Sequence, residues 1–493
     1  LQPVLREGKR GITVAVYRGS QIIALWAGFR DKVYGVAVDV GSTTVAAHLC
    51  DLFSGEVLAG SSLMNPQIRF GEDLMSRVSY VMMHPEGAEQ MTQVIRDALN
   101  SLFVDVAQII GASIEDIVEI SLVANPIMHH ILLGIDPIEL GGAPFALTTD
   151  APVNVPAAEV GLSINPGGRL YVLPCIAGHV GADTAGMILS EEPQAQDRMT
   201  LLVDVGTNAE IVLGNRQRLM ACSSPTGPAF EGAQISCGQR AATGAIERVR
   251  IDSDTLEPRF KVIGCELWSD QEGFAEAVRG FGVTGICGSG IIEVVAEMYL
   301  AGIVTVDGIV DGGLASRTPR VISNDRTWSY SLFTSEDGEE PILVTQNDIR
   351  QIQLAKAALY AGVKLLMDHM GVDRIERIRL AGAFGSHINV QHAMVLGLIP
   401  DCPLEEISSA GNAAGTGARI ALLNVQSRDA IETLVKNIEK IETALEPKFQ
   451  DYFVDAMAFP NKRDPFPNLF SVVSRPVVNE VKDAVGVRKR RRR

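Results

Sequence analysis

Two distant stretches of this chain repeat one pattern of residues. The first begins at Val36 and reads VAVDVGSTTVAAHL, and the second begins at Leu201 and reads LLVDVGTNAEIVL. Each contains an apolar strand, an aspartate, a glycine followed by short polar residues, and a second apolar strand. A domain-sized interval separates the two stretches, as an internal duplication requires. The repeat therefore predicts two β-hairpins in a two-lobed fold.

The turn of each predicted hairpin carries residues that suit contact with phosphate. Gly41 and Gly206 let backbone N–H groups approach an anion without a Cβ in the way. Asp39 and Asp204 end the first strands, where carboxylates can orient the water shell of Mg²⁺. The remaining turn residues can donate hydrogen bonds to phosphate oxygens, and they are Ser42, Thr43, Thr44, Thr207 and Asn208. We predict that both hairpins face one nucleotide.

Composition limits the class of protein. The chain has 493 residues, of which 46% are hydrophobic and 21% are charged, so it can bury large cores and form more than one lobe. Its net charge of -16 disfavours nucleic acid, because the phosphate backbone would be repelled. No apolar run reaches the roughly 20 residues that cross a bilayer, and no signal peptide is evident. We expect a cytoplasmic protein with no nucleic-acid or membrane partner.

The cysteines are scattered and form no CxxC motif, which is typical of reduced, buried thiols. In particular, the ferredoxin spacing C-x₄-C-x₂-C is absent, so the sequence predicts that this chain holds no iron–sulfur cluster by itself. The seven cysteines are Cys50, Cys175, Cys222, Cys237, Cys265, Cys287 and Cys402.

Two further glycine-rich elements follow the second hairpin. RIRLAGAFGSHINV, from Arg377, predicts a strand and then a turn that could lie against an adenine or a ribose; the turn residues are Gly382, Ala383, Phe384 and Gly385. SAGNAAGTGARIALLN, from Ser409, predicts an apolar helix whose small residues permit close packing between lobes. Helices are also expected near 87–110 and over 347–370, the latter with Asn347 as its N-cap.

These elements, in this order, resemble the actin, sugar-kinase and heat-shock-chaperone ATPase superfamily. The resemblance implies an α/β fold with two ribonuclease-H-like lobes around a nucleotide cleft, with connecting helices near 178–186 and 411–417. The division that we predict is a remnant of an upstream middle domain or linker at 1–33, a first lobe at 34–193, a second lobe at 194–408 with an insertion near 252–340, a connecting helix at 409–430, and a C-terminal extension at 431–493.

A closer resemblance within that superfamily is to the ATP-dependent reductive activators of corrinoid proteins. The segments that carry it are YGVAVDVGSTTVAAHL, NPQIRFGEDLMSRV, NPIMHHILLGIDP, SPTGPAFEGAQISCG and VTGICGSGIIEVVAEM. The resemblance implies that the chain binds ATP and Mg²⁺ and returns an inactive cob(II)alamin on a corrinoid protein to cob(I)alamin. Cob(I)alamin is the form that accepts a methyl group in methyl transfer. Hydrolysis of ATP would drive the uphill electron transfer that restores it.

Such activators usually carry an N-terminal [2Fe-2S] domain, whose ligands this chain lacks. We expect the electron to arrive through that missing or separate iron–sulfur domain, and we favour a domain that precedes Leu1. We also expect a homodimer.

Several side chains are candidates for the site. Asp183 would enter the cleft on a connecting helix and could orient the attacking water, although an acid in a first helical turn is also favoured electrostatically. Glu210 could reach the phosphates or point to solvent, and Glu231 could contact ribose or form a structural ion pair. His129 and His130 lie in an apolar helical pattern that favours a core position for at least one of them, and His179 lies between cleft glycines.

Other functions remain open at this point. A small-molecule kinase could use the same cleft, but no acceptor-side base is evident. A nucleotide switch or filament subunit would bind ATP without transferring a group. The activator ATPase of an acyl-CoA dehydratase is similar in fold and holds a [4Fe-4S] cluster between two subunits. The run RKRRRR from Arg488 predicts a solvated tail.

Overall fold

The computed structural model describes residues 1–334 and 341–476, and of Ala383 and Phe384 it describes the backbone alone. The predicted tail at Arg488 lies outside these residues. The chain divides into two compact units. Unit 1 comprises residues 1–227, 358–388 and 402–452, and unit 2 comprises residues 228–357, 389–401 and those from 453 onward. No helix in the described ranges is long and apolar enough to span a bilayer.

The strands, in chain order, are β1 (Ile12–Tyr17), β2 (Gln21–Ala27), β3 (Tyr34–Val40), β4 (Thr44–Asp51), β5 (Val57–Met64), β6 (Ile117–Ala124), β7 (Val153–Pro156), β8 (Arg169–Val172), β9 (Thr200–Val205), β10 (Ala209–Gly214), β11 (Leu219–Ser224), β12 (Ala245–Ile251), β13 (Pro258–Val262), β14 (Gly285–Ile286), β15 (Val321–Asn324), β16 (Thr327–Phe333), β17 (Ile342–Thr345), β18 (Arg377–Ala381), β19 (Ile407–Gly411) and β20 (Glu439–Lys440).

The α-helices are α1 (Gln2–Glu7), α2 (Leu74–Met83), α3 (Gly87–Ile109), α4 (Pro126–Leu133), α5 (Ala182–Glu191), α6 (Phe274–Val278), α7 (Gly288–Leu300), α8 (Gln346–Met370), α9 (Gly382–His387), α10 (Val390–Leu396), α11 (Ala413–Leu423), α12 (Val425–Leu434), α13 (Phe449–Ala456) and α14 (Pro467–Val472).

Unit 1 contains two six-stranded sheets with the same core order. In the first sheet the order is β5-β4-β3-β6-β8-β7, and in the second it is β19-β18-β9-β10-β11-β20. Each has a three-stranded antiparallel meander, β3-β4-β5 or β9-β10-β11, followed by two parallel strands on the other side of its first strand. This repeated order confirms the predicted duplication and the actin-like α/β fold.

The central strands read as continuous apolar runs because both faces of each sheet are covered. In β3 and β9 every residue is buried except the aspartate near the C-terminal end. One face of the first sheet packs against α3 and α4. A second core contains residues of both sheets, together with α5 and α11. The aspartates Asp39 and Asp204 are therefore the polar ends of otherwise buried strands.

The two helices α5 and α11 cross at glycine. A Cβ on Gly417 would lie 2.0 Å from the carbonyl oxygen of Gly186, which no side chain can tolerate. Glycine at these positions therefore lets the two backbones touch, as the small residues of the sequence predict.

The N-terminal region of unit 1 is a separate hairpin. Strands β1 and β2 pair antiparallel, and the turn between them contains Arg18 at φ 45° and Gly19 at φ 68°. Two consecutive positive φ angles match the twist of a tight hairpin.

Unit 2 contains two three-stranded sheets, β13-β12-β14 and β15-β16-β17. Its last segment is held by Lys356 of α8, whose ammonium is fully buried and donates to the carbonyls of Ala458 and Pro460, the latter at 2.8 Å. Burial holds the pKa of this ammonium well below its usual range. The lobe boundaries predicted at residues 193 and 408 stay predictions.

The predicted N-cap of α8 is wrong. The helix begins at Gln346, and the reciprocal cap joins Thr345 and Asp348. The Thr345 N–H donates to the Asp348 carboxylate at 2.8 Å, and the Asp348 N–H donates to the Thr345 hydroxyl at 3.2 Å. Asparagine is a good N-cap, but the pair T-x-x-D satisfies two helix-end donors at once.

Candidate functional site: a carboxylate cluster between two hairpin turns

The first hairpin turn lies between β3 and β4, as predicted. The N–H of Gly41 donates to the carbonyl of Thr44 at 3.0 Å and closes the turn. A Cβ at Gly41 would lie 2.8 Å from that same carbonyl oxygen, so glycine is required here by close approach. Ser42 and Thr43 form the tip, and Thr44 begins β4.

The second hairpin turn lies between β9 and β10. The N–H of Gly206 donates to the carbonyl of Asn208 at 3.1 Å, with Thr207 between them. The hydroxyl of Thr226 donates to the carbonyls of Gly206 and Thr207, at 2.7 and 3.0 Å. Thr226 thus holds this turn from a later segment, a role that sequence reasoning missed because nothing in the local pattern links the two.

Four acidic side chains, from both sheets and from α5, lie close enough to perturb one another. Asp204 on β9 lies directly opposite Glu210 on β10, an arrangement of like charges that destabilises a strand pair. All four are partly buried and each is desolvated. They are Asp39, Asp183, Asp204 and Glu210.

Burial and mutual repulsion shift the pKa values of this cluster upward. Burial, with the charge of Asp183, raises the pKa of Asp39 to about 6. Burial raises the pKa of Asp183 to about 6. Burial, with Asp183 and Asp39, raises the pKa of Asp204 to about 7. The pKa of Glu210 is held well above its usual range by burial and by the two neighbouring aspartates. Glu210 therefore faces the cluster.

Asp183 occupies the first turn of α5, as expected. Its carboxylate accepts from the Thr184 N–H at 2.7 Å, so it also satisfies one of the unpaired donors of the helix start. The two readings offered for this residue are compatible, since one carboxylate oxygen bonds the helix and the charge still reaches the cluster.

Asn412 is a site residue that sequence reasoning missed. Its side-chain oxygen accepts from the Gly415 N–H at 2.7 Å and caps α11, and its amide hydrogen-bonds to Asp39 and lowers the pKa of that carboxyl. An asparagine before a helix signals a cap, but only the fold brings that cap to β3.

The element after β18 differs from the prediction. The predicted turn is instead a helix, because Gly382, at φ 78°, begins the short helix α9. A Cβ on Gly382 would lie 2.3 Å from a carboxylate oxygen of Asp204, and one on Gly385 would lie 2.8 Å from the Leu380 carbonyl. These glycines let the helix fold back on its own strand. Contact of this segment with a nucleotide stays a prediction, and the side chains of Ala383 and Phe384 lie outside the described residues.

The remaining candidates are Glu231 and three histidines. Glu231 ends a 3₁₀ turn at Pro228–Glu231 in unit 2, and its contact with ribose stays a prediction. His129 and His130 are fully buried, with their Nδ1 atoms 3.2 Å apart, and burial lowers the pKa of His129 to about 3. The Nε2 of His179 lies 3.2 Å from the carbonyl of Leu140.

The cluster fits a magnesium ion held through water. Raised carboxylate pKa values indicate a deficit of positive charge, which a cation would relieve. Within the described ranges no three His, Cys, Asp or Glu side chains are placed to bind one metal directly, whereas Mg²⁺ keeps several of its waters and takes few protein ligands.

An iron–sulfur cluster does not fit the cysteines. All seven lie in the described residues, where none forms a disulfide, and all but Cys237 and Cys265 are buried. No group of them meets at one point in the described chain, so these residues do not provide the four thiolates that such a cluster takes.

Two family models match this chain, and each covers one of the two six-stranded sheets. Residues 198–470 match the family described as the C-terminal domain of RACo, the ASKHA domain. The chain belongs to the RACo family. Residues 34–195 match the RACo middle region, so the two matches together span both six-stranded sheets. Similarity to a corrinoid activation enzyme and to a reductive activator confirms the resemblance that the sequence predicts.

Two characterised relatives and one solved structure support this assignment. The chain is 33% identical over 435 residues to the corrinoid activation enzyme RamQ of Eubacterium limosum, covering 86% of this chain and 70% of that one. It is 23% identical to the [Co(II) methylated amine-specific corrinoid protein] reductase of Methanosarcina barkeri, covering 87% and 77%. A structure of a reductive activator for corrinoid, iron-sulfur protein superposes with a TM-score of 0.79 at 32% identity, covering 94% and 72%.

Proposed function

We propose that this RACo-family chain binds Mg²⁺–ATP at the two hairpin turns and hydrolyses it. The observation that carries the proposal is the cluster of four carboxyl groups beside the two hairpin turns. Their raised pKa values show that burial and mutual repulsion oppose their ionisation. Clusters of ionisable groups with strongly shifted pKa values are typical of functional sites.

The roles of the residues follow from their positions. The Ser42 and Thr43 amides of the first turn, and the Thr207 and Asn208 amides of the second, would bind phosphate oxygens, since the Gly41 and Gly206 amides donate within their own turns. Asp39 and Asp204 would hold Mg²⁺ through its water shell, and the ion would neutralise charge on the phosphates. Asp183 would orient the attacking water, and its first-turn position in α5 fixes its direction.

We further propose that hydrolysis is coupled to reduction of cob(II)alamin to cob(I)alamin on a partner corrinoid protein. Similarity to RamQ, a corrinoid activation enzyme, and to the methylated amine-specific corrinoid protein reductase supports this substrate class. Binding of ATP can shift a conformational equilibrium only if it binds one state more tightly. The electron would come from an iron–sulfur donor, because the cysteines of this chain do not fit a cluster.

The cell compartment and the assembly are also proposals. Seven cysteines without a disulfide suit a reducing compartment such as the cytoplasm. A homodimer stays a prediction.

The test follows the cobalt absorption spectrum of a candidate corrinoid protein, mixed with a reduced iron–sulfur donor and this protein. We expect cob(I)alamin to accumulate with ATP and not without it, and phosphate release to rise when the cob(II)alamin protein is added. Equal reduction without ATP would contradict the coupling. Formation of a phosphorylated small molecule in place of free phosphate would favour a kinase.

A further inference from the structure

The carbonyl groups of the first turn are all held from inside the protein. The side-chain amide of Asn65 donates to the carbonyl of Gly41 at 2.8 Å, and its backbone N–H donates to the carbonyl of Thr43 at 2.8 Å. Between them, the guanidinium of Arg77 donates to the carbonyl of Ser42. Three consecutive carbonyls therefore point into the core.

This arrangement sets the direction of the amides. In a trans peptide the C=O and the following N–H point in opposite directions, so inward carbonyls of Gly41 and Ser42 turn the N–H groups of Ser42 and Thr43 outward. In the described chain neither of these N–H groups has a hydrogen-bond partner. A pair of outward, unpaired donors is what a phosphate oxygen requires.

Arg77 is the one charged side chain among the described groups that hold these three carbonyls. Its side chain is fully buried, and its other contacts are neutral: the Gly71 carbonyl at 3.0 Å, the Gln67 side-chain oxygen at 3.4 Å and the Met128 sulfur at 3.0 Å. Within the described residues no carboxylate comes within salt-bridge distance of it. Burial lowers the pKa of Arg77 to about 10, opposed by Asp73, so the guanidinium stays charged at neutral pH.

The described residues place no charged side chain on the carbonyls of Gly206 and Thr207 in the second turn. Its carbonyls are held by the Thr226 hydroxyl and by the Gly227 N–H, which donates to Thr207 at 2.9 Å. Both supports are neutral. In the described residues, the buried cation behind the first turn is therefore one of the differences between the duplicated hairpins.

We propose that Arg77 is a positioning residue for polyphosphate: it fixes the amides of the first turn and places a positive charge behind them. The inference rests on the proposed binding of ATP and deepens it. A guanidinium on the Ser42 carbonyl polarises that peptide and strengthens the Thr43 N–H as a donor. Burying a cation with no carboxylate in salt-bridge contact is costly, and an anion bound at the turn offsets that cost.

The test compares nucleotides by calorimetry in the presence of Mg²⁺, with Arg77→Met, Arg77→Lys and wild type. For Arg77→Met we expect the affinity for ATP to fall about tenfold, while the affinity for adenosine changes less than about twofold. Arg77→Lys keeps the charge but loses the planar guanidinium, so its ATP affinity should lie between those of wild type and Arg77→Met. This variant remains informative if Arg77→Met does not fold.

The matched control is Arg96→Met. Like Arg77, Arg96 donates to a backbone carbonyl, that of Leu132 at 3.0 and 2.8 Å, but it does so in the contact between α3 and α4. It should lower the melting temperature without changing the ratio of ATP to adenosine affinity. A folded Arg77→Met that binds ATP as wild type does, or that loses ATP and adenosine equally, would overturn the inference. A wild-type protein that binds no ATP would instead overturn the proposed function, and the inference with it.

Discussion

At the scale of the residue, the site is a set of like charges that the fold holds together. Asp39, Asp204 and their neighbours gain nothing in stability from being near one another, because each raises the cost of ionising the next. Removing one of these charges should therefore affect activity and stability in opposite directions, which is the expected trade-off at a preorganised site.

We predict that Asp204→Asn lowers ATP hydrolysis roughly 100-fold or more and raises the free energy of unfolding by about 1 kcal/mol in the nucleotide-free protein. Phosphate release and thermal unfolding would measure the two effects. Asp197→Asn is the matched control, since its side chain is 84% exposed and pairs only with Arg216. A variant with full hydrolysis would remove Asp204 from the site.

The same charges predict how stability depends on pH. A carboxyl whose pKa is raised on folding stabilises the protein fully below its unfolded pKa near 4, and loses that contribution as the pH rises through its folded pKa. For Asp39 and Asp183 that pKa is about 6, and for Asp204 it is about 7. The melting temperature of metal-free protein should fall from pH 5 to pH 7.5, less steeply in Asp204→Asn. An equal slope in both proteins would contradict the assignment.

Sequence reasoning found the residues that carry a local pattern and missed those that do not. Asp39 and Asp204 stand in a repeat that marks strand, turn and strand. Asn412, Thr226 and Arg77 are brought to the turns by tertiary contacts from other segments, and each would serve equally well as a helix cap, a loop residue or a surface charge. Their roles depend on the fold and are invisible without it.

At the scale of the element, the close crossing of α5 and α11 requires a residue without a Cβ at Gly417. We predict that Gly417→Ala lowers the free energy of unfolding by about 2–3 kcal/mol, because its Cβ would overlap the Gly186 carbonyl and force the helices apart. Chemical denaturation would measure this. Gly280→Ala, where nothing lies within 4 Å of the added Cβ, should change stability by less than about 0.5 kcal/mol. Equal effects would mean that the crossing tolerates separation.

Elements were predicted well where periodicity is long and poorly where it is short. The strands of both hairpins and the helix over 87–109 follow from apolar runs and 3.6-residue spacing. The helix α9 has six residues, four of them small, and such a segment carries no period from which helix can be told from turn. Its close return onto β18 is a tertiary effect.

At the scale of the whole molecule, the proposed function assigns the use of ATP to this chain and the supply of the electron to a separate iron–sulfur donor. We predict less than about 0.1 iron per chain in purified protein, because the thiols of these cysteines are dispersed. Elemental analysis would measure this, together with ATP hydrolysis by the same sample. About two irons per chain, with activity lost on chelation, would favour the subunit-bridging cluster of the acyl-CoA dehydratase activators.

The order of synthesis limits when the side chain of Lys356 can become buried. Its partner carbonyl on Pro460 lies 104 residues later in the chain, which a ribosome synthesises in roughly 5–20 s. Until then the ammonium has no carbonyls to receive it and must stay in water, because burying it alone would be too costly. Unit 2 begins at residue 228 but cannot close over this lysine until residue 460 has emerged, so its folding is completed late in synthesis.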